Sequence, residues 1–107
     1  MTQNTEKLSE FETQNIAFKI SNKKSNEMRF FIEPWGDEFM FTPGTTIQIN
    51  ASYPSGTDWI PEIVYYQNNI IAFHMYDGPG FFFELFSNGT RLRTSQDYSY
   101  PKRENEL

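Results

Sequence analysis

Between Met28 and Ala51 the chain is broken twice, at Pro34-Trp35-Gly36 and again at Pro43-Gly44. No helix of ordinary length and no single long strand survives that punctuation. Pro34 removes a backbone donor and locks φ, so a ladder stops there or runs at a sheet edge. Glu33, preceding the proline, is held extended. Gly36 takes a positive φ without strain, and Asp37 is a good turn residue. Residues 27–33 therefore read as a strand, 34–37 as a turn and 38–42 as the returning strand. Pro43-Gly44 suits the two central positions of a type II turn, glycine in the positive-φ place. Beyond it, Ile47, Ile49 and Ala51 alternate with Thr46, Gln48 and Asn50, the pattern of a half-buried strand over 45–51. In contrast, Met28-Arg29-Phe30-Phe31-Ile32 is apolar on both parities, which predicts burial on both faces.

The same grammar runs through the remaining chain. Ile16, Phe18 and Ile20 alternate with Ala17 and Lys19 and read as a first strand over 16–20, followed by a polar loop at 21–26. Residues 62–66 and 69–76 read as a hairpin about Gln67-Asn68. Asp77-Gly78-Pro79-Gly80 is a break. Phe81-Phe82-Phe83-Glu84-Leu85-Phe86 is apolar on both parities and belongs in the middle of a sheet. Asn88-Gly89 is a type I′ hairpin signal, and 91–94 returns as a short edge strand whose arginines oppose edge-to-edge association. Two prolines and a glycine over 52–61 predict an irregular connection. Seven or eight short strands of this kind predict an all-β fold, a small antiparallel β-sandwich or a partly open barrel. Residues 1–15 read as a polar tail or a short helix in which Leu8 and Phe11 share a face, 16–94 as a single β domain, and 95–107 as a flexible C-terminal tail.

The chain has 107 residues, enough for one core. With 11 Phe and 18% aromatic residues, that core is built from large rings rather than many aliphatics. There is no cysteine, which removes disulfides, thiolate metal sites and a cysteine nucleophile and suits a reducing compartment. No apolar run has the length of a membrane span, and the first residues lack a signal-peptide layout, so the expectation is a cytoplasmic protein without a membrane partner. Net charge is −5, unevenly spread: from Glu27 to Glu84 there are eight acids and one base, Arg29. Such a surface repels phosphate backbones and argues against nucleic-acid binding. It favours either a basic protein partner or solubility alone.

Glu33-Pro34-Trp35-Gly36-Asp37-Glu38, followed by Pro43-Gly44 and an alternating strand, resembles a motif of small uncharacterised bacterial β-domain proteins that carry Glu-Pro-Trp-Gly-(Asp/Glu) and then Pro-Gly. The resemblance covers about residues 30–50. It implies a compact β domain and a bacterial source, and it transfers no activity and no site residue.

Chemistry is sparse. His74 is the sole histidine, with no His-x-His or His-x3-His spacing for a metal; a cross-strand pair with Glu84 on the neighbouring strand is open to it, and such a pair would be structural. No Gly-x-Ser-x-Gly elbow and no phosphate-binding loop occurs. Asp37 and Glu38 are adjacent, so on a strand they point to opposite faces, the wrong layout for a shared acid–base pair. The expectation is a protein without catalytic residues, metal or cofactor. Trp35, Asp37 and Glu38 at the first turn, and Tyr53, Asp58 and Trp59 in the long connection, are the candidate binding residues: aromatics beside carboxylates, as at interaction hot spots. For each ring a second reading stands, a lid packed down on the end of the core. The functional expectation is a non-enzymatic protein-binding module, of the inhibitor or immunity type, that covers the basic site of a partner. The alternative is a small-molecule binder that takes a sugar-like or flat apolar-faced ligand in an aromatic-lined groove.

Overall fold

The computed structural model describes residues 12–99. Eight strands and one short helix follow in order: β1 (Thr13–Ser21), β2 (Met28–Glu33), β3 (Asp37–Phe41), β4 (Thr46–Pro54), β5 (Glu62–Tyr66), β6 (Ile70–His74), β7 (Phe82–Ser87), β8 (Thr90–Leu92) and α1 (Ser95–Ser99). They form two four-stranded sheets, ordered β1-β4-β7-β8 and β3-β2-β6-β5. The fold is a sandwich, as the strand pattern predicts. The second sheet is two hairpins, β2–β3 and β5–β6, laid side by side. Their junction, β2 with β6, is parallel, the one pairing that departs from an antiparallel reading.

The turns sit where the punctuation puts them. Gly36, Gly44 and Gly89 have φ of 82°, 83° and 87°, and Thr45 N–H closes the Pro43-Gly44 turn onto the Thr42 carbonyl at 3.1 Å. In the β5–β6 hairpin the positive φ falls on Asn68 and Asn69, one residue later than the Gln67-Asn68 expectation.

Phe73 of β6 stands at the centre of the interlayer space. It meets Phe18 of β1 edge-on at 5.8 Å and Phe83 of β7 at 5.3 Å. Around it Phe30, Ile32, Phe41, Ile49, Ile71 and Leu85 are fully buried. Burying rings of this size contributes roughly 1.5–3 kcal/mol each, the main term that offsets chain entropy.

Several expectations change. β2 is not buried on both faces: Met28, Phe30 and Ile32 are buried, Arg29 is exposed, and Phe31 and Glu33 are half-buried on the outer side. A two-layer sandwich covers only one face of each sheet, so an apolar outer residue such as Phe31 stays accessible. β1 begins at Thr13 and β4 runs on to Pro54, because each strand supplies the other's ladder; Thr13 pairs with Pro54 and Asn15 with Ser52. Residues 13–15 are thus strand rather than tail, and 52–54 are strand rather than loop. Ser95–Ser99, read as tail, is helix, since tertiary hydrogen bonds outweigh its weak local pattern. The Leu8–Phe11 helix and the tail beyond residue 99 lie outside the described residues.

α1 closes a gap in the ladder. β8 has three residues and covers only the second half of β7. Past it, the Gln96 side chain takes the missing strand's place: its Oε1 accepts from Phe83 N–H at 3.1 Å and its Nε2 donates to the Phe81 carbonyl at 2.9 Å. Asp97 reaches back to the start of α1, its Oδ2 accepting from Thr94 N–H at 2.8 Å and from the Thr94 hydroxyl at 3.3 Å. Arg91 donates to the other carboxylate oxygen at 2.7 Å. At the opposite end, buried Asn22 ties loop β1–β2 to the sheet by donating to the Phe41 carbonyl at 2.7 Å.

Candidate functional site

Pairing of Glu33 with His74 and of Ser52 with Phe82 brings the β2–β3, β4–β5 and β6–β7 connections to one end of the sandwich. All six residues singled out from the sequence lie at or near this end, and the structure divides them by role. Trp35 packs on Phe83 at 5.7 Å, and Trp59 meets Phe81 at 5.8 Å and Tyr76 at 6.0 Å. Tyr53 likewise packs against the core. These rings are half-buried and lid the core. Tyr76, which the sequence reading placed in a strand, and Ile60 are half exposed beside exposed Asp58 and Asp77. Gly78 lies buried under the Tyr76 ring.

The two carboxylates of the first turn are engaged within the fold. Asp37 accepts from Ser95 N–H at 2.7 Å and Ser95 Oγ–H at 2.6 Å and so staples α1 to the start of β3. Glu38 accepts from Arg29 Nε across the β2–β3 ladder. That hydrogen bond holds the Glu38 carboxyl below its ordinary range and raises the Arg29 guanidinium, although both groups are solvated and the pair contributes little to stability. Alternation along the strand sends the two side chains apart, as the sequence predicts.

What the sequence did not assemble is the outer face of the β3-β2-β6-β5 sheet. Register aligns Phe31 with Ala72 and Val64, and Glu33 with His74 and Glu62. A groove of about 420 Å³ runs here, between Phe31 and Tyr66, floored by Ala72 and Ile70 and ended by Glu33 and His74. Tyr66 Oη lies 3.1 Å from His74 Nε2, a bond that reaches along the strand past Ala72. His74 therefore does not meet Glu84: β6 and β7 belong to different sheets, and the two side chains occupy opposite outer faces. The strands that carry Phe31 and Glu33, and Ile70, Ala72 and His74, were legible. Their adjacency was not, because it depends on a parallel pairing between segments about forty residues apart.

The outer face of the other sheet carries a larger hollow, of about 680 Å³, lined by Asn15, Asn50, Ser52, Phe82, Glu84 and Arg91 among others. Its chemistry is amide and hydroxyl, with the Phe82 ring, the Glu84 carboxylate and the Arg91 guanidinium. Arg91 is held from behind by Asp97, and its Nε is buried without a hydrogen-bond partner.

Among the described residues no cluster of three His, Asp or Glu side chains is placed to hold a metal ion, and no helix is long and apolar enough to cross a membrane. Comparison with family models, with characterised proteins and with solved structures gives no significant match.

Proposed function

We propose that the chain is a non-enzymatic protein-binding module, of the inhibitor or immunity type, that presents the outer face of its β3-β2-β6-β5 sheet to a basic partner. The observation that carries this reading is the coincidence of exposed apolar area and negative charge. Of the six large apolar side chains left exposed among the described residues, five (Met40, Ile60, Tyr65, Tyr66 and Tyr76) belong to this sheet or to the loops at its end, and of these Met40 and Tyr66 stand on its outer face. The outer positions of its strands hold three acids, Glu33, Glu38 and Glu62, against one base, Arg29, whereas the other sheet's hold Glu84 against Lys19 and Arg91. Clustered exposed apolar residues rimmed by charge mark interaction surfaces, and aromatic anchors dominate their energetics. One-signed charge speeds encounter with an oppositely charged partner and makes binding salt-sensitive.

Affinity capture with the full chain from its native host tests this. The expected result is a basic partner retained at low salt, released by salt, and lost when Glu33→Lys and Glu62→Lys are combined. Recovery of the free chain alone, or capture undiminished by that variant, refutes the proposal.

A second reading rests on the 680 Å³ hollow and the unpartnered Arg91 Nε: a small polar ligand, such as a sugar, on the opposite sheet. Thermal shift across a saccharide library tests it, and a flat response removes it.

A further inference from the structure

We infer that the groove between Phe31 and Tyr66 is a seat for an arginine side chain of a binding partner. The inference rests on the protein-binding reading above and specifies its central contact. Phe31 and Ala72 are register partners on adjacent strands, β2 and β6. Ala72 itself is only about 3% exposed, so the groove lies between the side chains of Phe31 and Tyr66, with the Tyr66 ring from β5 as the wall opposite Phe31. Hydrogen bonding to His74 fixes where the Tyr66 hydroxyl lies, so the wall is set before a ligand arrives. Pre-formed walls spare the ordering cost that a mobile tyrosine would impose on binding.

The walls alone would suit any flat apolar group; the charge selects among them. Glu33 closes one end of the groove, and Glu62 stands on the far side of His74. Among the described residues neither carboxylate is in an ion pair, and the Arg29 guanidinium of this face is engaged by Glu38. A guanidinium satisfies both requirements at once, since it stacks on aromatic faces and offers a planar fork to a carboxylate. Phe31 already shows this chemistry within the chain: the Arg29 guanidinium lies over its ring, 5.2 Å from the centroid. A lysine ammonium, more strongly hydrated and with no plane to stack, fits less well.

The test uses the full-length protein, labelled with nitrogen-15, and two probes: N-acetyl-L-arginine amide and its uncharged isostere N-acetyl-L-citrulline amide. Arginine amide is expected to shift the backbone signals of Phe31, Ile70, Ala72 and His74 with an apparent Kd on the order of millimolar, as suits so small a ligand. Citrulline amide is expected to bind about tenfold or more weakly, for loss of the charge-assisted bond. Glu33→Gln lowers arginine affinity by a similar factor. Ala72→Leu fills the groove and abolishes the shifts, with the fold checked by the undisturbed signals of β4 and β7. Equal shifts from both probes, shifts that map to the other sheet, or no shifts at all overturn the inference. Failure here is separable from failure of the docking proposal. A partner captured through this face without any arginine response sinks only the seat; a clear arginine response without a captured partner sinks only the docking reading.

Discussion

Replacing Gln96 is the sharpest test of how the sandwich is closed. The side chain is about 1% exposed and bonds two backbone groups of the β7 region, Phe83 N–H and Phe81 C=O. Gln96→Leu keeps most of the volume and leaves both groups buried and unpaired. Each such orphan costs about 1–3 kcal/mol. Extra apolar burial by leucine returns about 1–2 kcal/mol. Taking the middle of each range, the net expectation is a loss of about 2.5 kcal/mol, which at about 4–8 °C per kcal/mol for a domain near this size lowers Tm by roughly 10–20 °C. Urea unfolding should show a lower midpoint with an unchanged slope, because the surface exposed on unfolding is the same. Hydrogen exchange at Phe83 should accelerate. Gln96→Glu adds a pH signature. Its protonated carboxyl can accept from Phe83 N–H and donate to Phe81 C=O, whereas the ionised form would place a charge against a carbonyl. Burial raises the folded-state pKa of the introduced carboxyl above its unfolded value of about 4.3. The folded variant then binds the extra proton between the two values, so it is nearest wild type below about pH 4 and loses stability as pH rises through the folded pKa. A loss under about 0.5 kcal/mol for Gln96→Leu, with Phe83 exchange unchanged, would refute the claim that a side chain stands in for a strand.

Two further predictions are independent of this one. Asn22→Ala removes bonds to the Phe41 and Asn26 carbonyls and to Lys24 N–H, and should cost about 2–3 kcal/mol in urea unfolding; a change near zero would mean the loop is held by its backbone bonds alone. Arg29→Met should return the Glu38 titration, followed by carbon-13 NMR, to the ordinary carboxylate range. The folded Glu38 pKa is depressed in the wild type, so the pair's contribution is present above the unfolded pKa and is lost as pH falls through the folded one. The stability gap between wild type and variant should therefore narrow on acidification, and a Glu38 titration unmoved by the substitution would exclude the pairing.

Local chemistry was readable wherever one segment decided the outcome. Proline and glycine at 34–36, 43–44 and 88–89 place their turns, because φ preferences act within two or three residues. Alternation at Ile47, Ile49 and Ala51 places the core face of β4, because side-chain period is set by the strand itself. Asp37 illustrates the boundary. As a turn residue it was evident, yet its carboxylate is committed to Ser95, fifty-eight positions away. Trp35, Tyr53 and Trp59 carried two readings, interface or lid; the structure packs all three against the core and leaves each of them half-buried. Asn22 and Gln96 had the look of solvated polar residues, since an amide that will be buried differs in no local way from one that will not.

The sequence by itself determined a small all-β domain with large rings inside, short strands and an acidic middle. These follow from residue size, backbone preference and charge count, all of which are properties of neighbours in the chain. Only the tertiary structure decided that β2 lies beside β6 in parallel, that Phe31, Tyr66, Glu33 and His74 share one groove, and that a five-residue helix completes the β7 ladder. Those outcomes depend on which segments meet across a long loop. That choice is made by the summed burial of the whole core and the requirement that every buried backbone group find a partner, and no window of the sequence contains either sum.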